Sequence, residues 1–329
     1  MANTISDKLT YLEGTKSAIK DAIVAKGVAV SDSDTFRSYA DKIGQISGGG
    51  GGKINLNDYG LTFSNSKMDK DHYDNVEYKI PQDCSYWFHM ASFQDPIDIS
   101  DHINPDTLYA AERTFQYASN IHINEIKLMA ERSFTFSGFE GSIDTLEFIN
   151  PYSTSWGYCT RTFYLSTSFP KNITITNKYE TSVCALEYFF NLVTTDSAVP
   201  ISVPEIEVIN GQVTFTQYFS SYSSSITSVG KIKLTNCSLY QDLNKTALCG
   251  MASTVVTYFG GVEGADKSMN LANFRALNSQ SVTDIITNVS DLSGKDTKTL
   301  AFYTNVYNAL TEEQKSLAAS KNWTLASFN

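Results

Sequence analysis

The chain has 329 residues and a formal net charge of −10, with 42% hydrophobic, 12% aromatic and 18% charged residues. Its length points to more than one domain, and its apolar content is enough for a substantial core, which excludes intrinsic disorder. The acidic balance excludes a nucleic-acid surface, because phosphate neutralisation needs clustered Lys and Arg. No apolar run reaches the length of a membrane span, and the start, MANTISDKLTYLEG, has no signal-peptide apolar core. The expectation is a chain made in a reducing cytoplasm, without membrane insertion. Cys84, Cys159, Cys184, Cys237 and Cys249 are odd in number, scattered and never spaced CxxC, so they are expected as buried free thiols.

Over residues 4–26, Ile5, Leu9, Leu12, Ile19 and Ile23 fall on one helical face. Thr4 with Asp7 forms an N-cap and Gly27 a helix stop. A second short helix follows SDSDTF, with Phe36, Tyr39, Ile43 and Ile46 at spacings of three and four. Two such helices cannot bury both apolar faces alone, so this module calls for copies of itself or a docking surface. The run SGGGGGK (47–53) then raises a phosphate-loop reading, which fails because Ser47 and Ile54 stand at two of its four fixed positions. It reads as a flexible joint spanning roughly 13 Å.

Beyond the glycines a frame of apolar-x-apolar-x-Asn recurs as LEFIN (146–150), ITITN (173–177), IEVIN (206–210) and IKLTN (232–236). An earlier copy, IKLMA (126–130), lacks the Asn, and AERTF (111–115) repeats as AERSF (130–134). A short strand followed by a turn-rich return carrying an aromatic is the pattern of a solenoid with parallel strands. In this frame the Asn shares parity with the two apolar residues. Asn150, Asn177, Asn210 and Asn236 are therefore expected to face inward, bond the following turn and stack on one another.

The end of the chain returns to helix. SQSVTDIITNVSDLSG has Ser281 and Asp284 as a capping pair, and a stripe of Val282, Ile285, Ile286, Val289 and Leu292 closed by Gly294. TLAFY (299–303) reads as a strand, Thr311 and Gln314 cap a last helix, and WTLASF ends the chain as a strand. This is a cap for the last repeat.

Three patterns imitate chemistry. In GGVEGADKS (260–268), Asp266 replaces the second glycine of a phosphate loop. In DKDHYD (69–74), a calcium loop begun at Asp69 would have Tyr73 at a ligand position and Ile80 in place of the closing Glu. His72, His89, His102 and His122 sit in no metal-ligand spacing, and no spacing of carboxylates marks a glycosidase pair. No cofactor or metal is expected. The segments NPYSTSWGYCTRTFY (150–164) and FTQYFSSYSSSITS (215–228) have the Tyr/Ser/Trp mixture of recognition surfaces. They make Trp156, Tyr158, Tyr218 and Tyr222 the candidate recognition residues.

The stretch 9–46, with Thr15-Lys16, Ile19 to Ile23, Lys26 to Val28, Phe36, Tyr39, Lys42 and Ile43, resembles the short amino-terminal module of tailed-bacteriophage structural proteins. From about 54 to 329 the chain is similar to the BspA-like leucine-rich repeats of bacterial surface antigens and phage fibres, with varied repeat lengths and a degraded Ala-Phe-x-x-Cys pattern. The ending SVTDIITNVSDLSGKDTKTLAF…LTEEQKSLAASKNWTLA is similar to the way such phage proteins end.

The resemblance implies an α+β chain. A helical anchor (1–47) and a Gly linker (48–53) precede an irregular leucine-rich-repeat solenoid (54–264) with an α/β cap (265–329). It implies a non-enzymatic virion-surface fibre or adhesin, with a purely structural decoration protein as the alternative and a glycan-degrading enzyme as a third class. Leu9, Leu12, Ile19, Ile23, Phe36, Tyr39 and Ile43 would anchor it to other virion proteins or to copies of itself, a trimer being the family default. The repeats would bind a bacterial surface glycan or protein.

Overall fold

The computed structural model describes residues 4–44, 53–130, 135–153, 156–166, 168–192, 200–221, 226–251 and 253–329. The glycine run, Phe134 and Tyr222 lie outside these. The chain divides into two compact units, Met1–Tyr59 with Asp71–Glu77, and Gly60–Lys70 with Tyr78–Asn329. A helical amino-terminal segment thus precedes a β-rich unit built from parallel sheets.

In the first unit, the helix Ile5–Ala25 opens on a capping box. Thr4 accepts from the Asp7 N–H and donates its own N–H to the Asp7 carboxylate. These bonds to Thr4 hold the Asp7 carboxyl below its usual range. Gly27, at φ +84°, takes the left-handed turn that stops the helix. The short helix Tyr39–Gly44 follows a single 3-10 turn at Phe36–Ser38. Tyr39 (3% exposed) and Ile23 (2%) are the buried members of the predicted apolar face, and Ile19 is half-buried. Lys16 lies over the Tyr39 ring at 5.9 Å, and Lys20 pairs with Asp32. Leu9, Leu12, Phe36 and Ile43 remain more than half exposed.

The second unit is organised by a nine-stranded parallel sheet. Its main path runs through strands Lys67–Met68, Ser92–Asp98, Ser119–Met129, Glu140–Asn150, Asn172–Asn177, Ile206–Ile209, Ile232–Thr235 and Val262–Glu263. The recurring frame is in register across it: Ile126 pairs with Leu146, then Ile173, Ile206, Ile232 and Val262. Every one of these side chains is at most 3% exposed. The residues between them face outward and carry charge. Lys127, Glu147, Thr174, Glu207, Lys233 and Glu263 form one column, tied by Lys233–Glu207 (2.9 Å) and Thr176–Glu147 (2.7 Å). Between Asn177 and Ile206, and again between Ile209 and Ile232, the chain adds one strand to each of three further parallel sheets.

A column of phenylalanines runs through the core. Phe63, Phe88, Phe115, Phe136, Phe163 and Phe190 stack in succession, with centroids 5.2–5.6 Å apart and planes within 12°. Each Phe N–H from Phe88 onward donates to the residue just before the next one: Phe88 to Thr114, Phe115 to Thr135, Phe136 to Thr162, Phe163 to Phe189 and Phe190 to Tyr218, at 2.9–3.0 Å. Left-handed residues bracket these corners, two positions away on either side: Tyr86 and Met90, Arg113 and Tyr117, Arg161 and Leu165. The ring following Phe115 is Phe136, because the hydrogen-bonded register pairs Phe115 with Thr135.

The carboxyl end is helix–strand–helix–strand. The helix Ser279–Asn288 is capped by Asn278, which accepts from the Ser281 N–H. This corrects the predicted Ser281–Asp284 cap: the Ser281 hydroxyl is buried and bonds both backbone groups of Phe259. Val282, Ile285, Ile286, Val289 and Leu292 are all buried, as their periodicity predicts. Lys321 places its ammonium on the carbonyls of Ile286, Thr287 and Val289, where a helix end concentrates negative charge. Burial lowers its pKa. Thr311 and Gln314 form the predicted capping box, and Lys298–Tyr303 pairs in parallel with Trp323–Phe328.

Phe136→Ala removes a ring that packs on both Phe115 and Phe163. It is expected to destabilise the chain by about 3–5 kcal/mol, read as a lower midpoint in chemical denaturation of the full chain.

Candidate functional site

The inward asparagines set up the site. Asn150 is fully buried; its amide donates to Asn177 Oδ1 (3.0 Å) and the Val183 carbonyl (3.1 Å). Its Oδ1 accepts from the Tyr152 N–H at 3.2 Å. Asn177, also fully buried, donates to the carbonyls of Asn210 (2.9 Å) and Gln212 (3.2 Å). Buried amides thus link one round of chain to the next and fix where each leaves the sheet. Asn210 and Asn236 do not extend this stack. The strands end one residue earlier, at Ile209 and Thr235, and both asparagines take left-handed turns (φ 61° and 50°). Asn is one of the few residues that tolerates such a turn. Asn210 is half-buried and Asn236 exposed.

The strand Trp156–Thr160 crosses directly over Asn150. A Cβ on Gly157 would lie 2.6 Å from Asn150 Cγ, so only glycine permits the approach. Trp156 and Tyr158 flank that glycine with ring centroids 6.3 Å apart, and Tyr240 meets Trp156 edge-on at 5.1 Å. Trp156 is 37% exposed and Tyr152 39%. Tyr152, Trp156 and Tyr158 line a cleft of about 450 Å³ together with Asp83, Ser85 and Glu112.

The acidic residues come from two earlier rounds, with the round of Met129 and Ala130 between them and Trp156. Cys84 N–H donates to Ala110 O (2.9 Å), which sets 83–85 beside 110–112. Ser85 holds the pair together: its N–H donates to Asp83 (3.2 Å), and its hydroxyl accepts the Glu112 N–H (3.2 Å). Among the described residues no Lys or Arg lines the cleft. Partly exposed aromatic rings and carboxylate acceptors lining one cleft suit a ligand with an apolar face and several hydroxyl donors, as a saccharide has.

Of the predicted recognition residues, Trp156 and Tyr158 therefore share the cleft. Tyr218 does not reach a surface. It is 1% exposed, stacked on Phe189 at 5.9 Å, and burial raises its hydroxyl pKa. Its position next to the phenylalanine column explains this, since Phe190 donates to its carbonyl. Tyr222 lies outside the described residues. Asp83, Ser85 and Glu112 gave no local motif; only the register of successive rounds brings them to Trp156.

A second, smaller cleft of about 230 Å³ lies on the charged face among Lys171, Glu205, Glu207 and Lys233. Each of its charges has a partner: Lys233 pairs with Glu207, Lys171 with Asp144 and Glu205 with Lys231. Glu207 is held below its usual pKa by Thr235 and by Lys233. Burial pushes the thiols of Cys84, Cys237 and Cys249 up to about 12 and raises that of Cys159 as well. In the glycine-rich 260–268 stretch, Val262 and Glu263 pair with Ile232 and Lys233, and Gly261 packs on Ile285. Among the described residues no group of three or more His, Cys, Asp or Glu is placed to hold a metal ion, and no helix is long and apolar enough to cross a membrane.

No protein-family model, curated protein or solved structure matches this chain.

Gly157→Ala is expected to push the 156–158 strand off Asn150 and open the cleft. The readout is the emission of Trp156 in a variant whose other two tryptophans are replaced by Phe. A red shift with retained secondary structure is expected, whereas an unchanged spectrum contradicts the packing argument.

Proposed function

We propose that this chain is a non-enzymatic surface protein of a tailed bacteriophage, a fibre or adhesin whose first unit attaches to the particle and whose second unit binds the bacterial surface. The successive parallel rounds are, in this reading, a leucine-rich-repeat-like solenoid closed by the helix–strand cap. Support comes from the resemblance of residues 9–46 and of the carboxyl end to phage structural proteins. The single observation that carries the binding role is the cleft that Trp156 and Tyr158 line together with Asp83 and Glu112. A rigid scaffold that spends a glycine on bringing two aromatic rings to a surface is organised for recognition.

The ligand class is a saccharide of the host envelope. Ring faces of the sugar pack on Trp156 and Tyr158 while its hydroxyls donate to the carboxylates. Individual contacts of this kind are weak, and many copies on one particle supply avidity. The outward charge column of the main sheet, neutralised within itself by pairs such as Lys233–Glu207, fits a wall that faces water rather than a partner.

The test is binding of the full chain to an array of bacterial surface polysaccharides and to whole cells. Trp156→Ala and Tyr158→Ala are each expected to weaken binding by roughly tenfold or more, about 1.4 kcal/mol. Equal binding by both variants would remove the cleft from the mechanism. Failure of the wild-type chain to bind any envelope component would favour a decoration protein, and release of reducing ends from the polysaccharide would favour an enzyme.

A further inference from the structure

The first helix carries more apolar surface than its own unit covers. Ile5, Leu9, Leu12, Lys16, Ile19 and Ile23 step by four and three alternately, the spacing of a coiled-coil seam. The structure divides this seam in two. Its second half is used internally: Ile23 and Tyr39 are buried, Ile19 is half-buried, and Lys16 turns from the seam onto the Tyr39 ring. Its first half is bare, with Ile5 79%, Leu9 56% and Leu12 57% exposed.

Charge on either side of the bare half indicates what covers it. Lys8 and Glu13 are both exposed and five residues apart, on opposite flanks of the Leu9–Leu12 seam. In a parallel, in-register pair of such helices these are the flanking positions that meet between chains, Lys8 of one copy against Glu13 of the other. An antiparallel pair would instead bring like flanks together, with Lys8 of one copy beside the Lys8 flank of the other and away from its Glu13. We infer that Ile5, Leu9 and Leu12 form a parallel, in-register seam with further copies of this chain, its orientation set by Lys8–Glu13 pairs between copies. The helix is then divided between two tasks: its first half joins copies, and its second half holds Tyr39 and the short helix that follows. This inference is independent of what the second unit binds.

The test is sedimentation of the full chain over a concentration series. The wild type is expected to self-associate, and the double variant Leu9→Asp with Leu12→Asp to be monomeric at every concentration. Both positions are exposed, so the helix content and the unfolding midpoint of the β-rich unit should be unchanged. Lys8→Glu alone should weaken association several-fold, and Lys8→Glu combined with Glu13→Lys should restore it. Under mild oxidation Leu12→Cys is expected to cross-link to itself, the native thiols being buried or half-buried. A monomeric wild type overturns the seam. Preferential cross-linking of Ile5→Cys to Leu12→Cys, or no restoration by the charge exchange, overturns the parallel register.

Discussion

The β-rich unit depends on one repeated constraint: from Phe88 to Phe163, each phenylalanine of the column donates its N–H to the carbonyl just before the next. That bond fixes the offset between rounds, and the offset brings the rings within 5.2–5.6 Å of one another. Such stacked pairs add about 0.5–1.5 kcal/mol each beyond the area they bury. The larger effect is on register. A parallel strand shifted by one residue would turn Leu146 or Ile173 outward and bring Glu147 or Thr174 into the core. With the corners pinned by ring and hydrogen bond, that slip is excluded at every step. The left-handed residues beside each corner are the conformational cost of turning so sharply, concentrated where the ring packing can offset it.

The candidate site is a by-product of this order. Asn150 is buried because it falls on the inward parity of its strand, and its three hydrogen bonds go to groups in the same and the next round. Because the amide must be satisfied, the chain leaving the strand is fixed at Tyr152, and Gly157 can return across it. The acidic residues are placed in the same way. Asp83 and Glu112 belong to different rounds and become neighbours through the pairing of Cys84 with Ala110. The site is thus assembled from four rounds, held by backbone bonds and by the Ser85 and Asn150 side chains.

Much of the fold was legible in the sequence because it rests on periodicity. The apolar-x-apolar frame marked the main sheet strands and their register, since alternation reports burial directly. The Thr4–Asp7 and Thr311–Gln314 boxes marked two helix starts. The phenylalanine column was less legible, because its members are spaced unevenly, 21 to 27 residues apart, and only a Thr-Phe pair marks four of them. Asn236 misled for a related reason: the letter matches its predecessors, but its strand ends one residue sooner and the side chain turns out. Tyr218 misled because composition does not distinguish a tyrosine that presents its ring from one that buries it. Trp156 and Tyr158 were legible as aromatics in a serine-rich stretch, whereas their carboxylate neighbours required the long-range register.

The uneven spacing between ladder phenylalanines has a consequence for how such a chain can change. Since register is set at the corners and along the main sheet, residues added or removed between them need not alter the stacking of any round. Length variation is therefore absorbed in the connections, which reach the surface, while the core keeps its pitch. A protein built this way can exchange the shape of its exposed segments without renegotiating its fold, so its binding preferences and its stability can evolve on separate schedules.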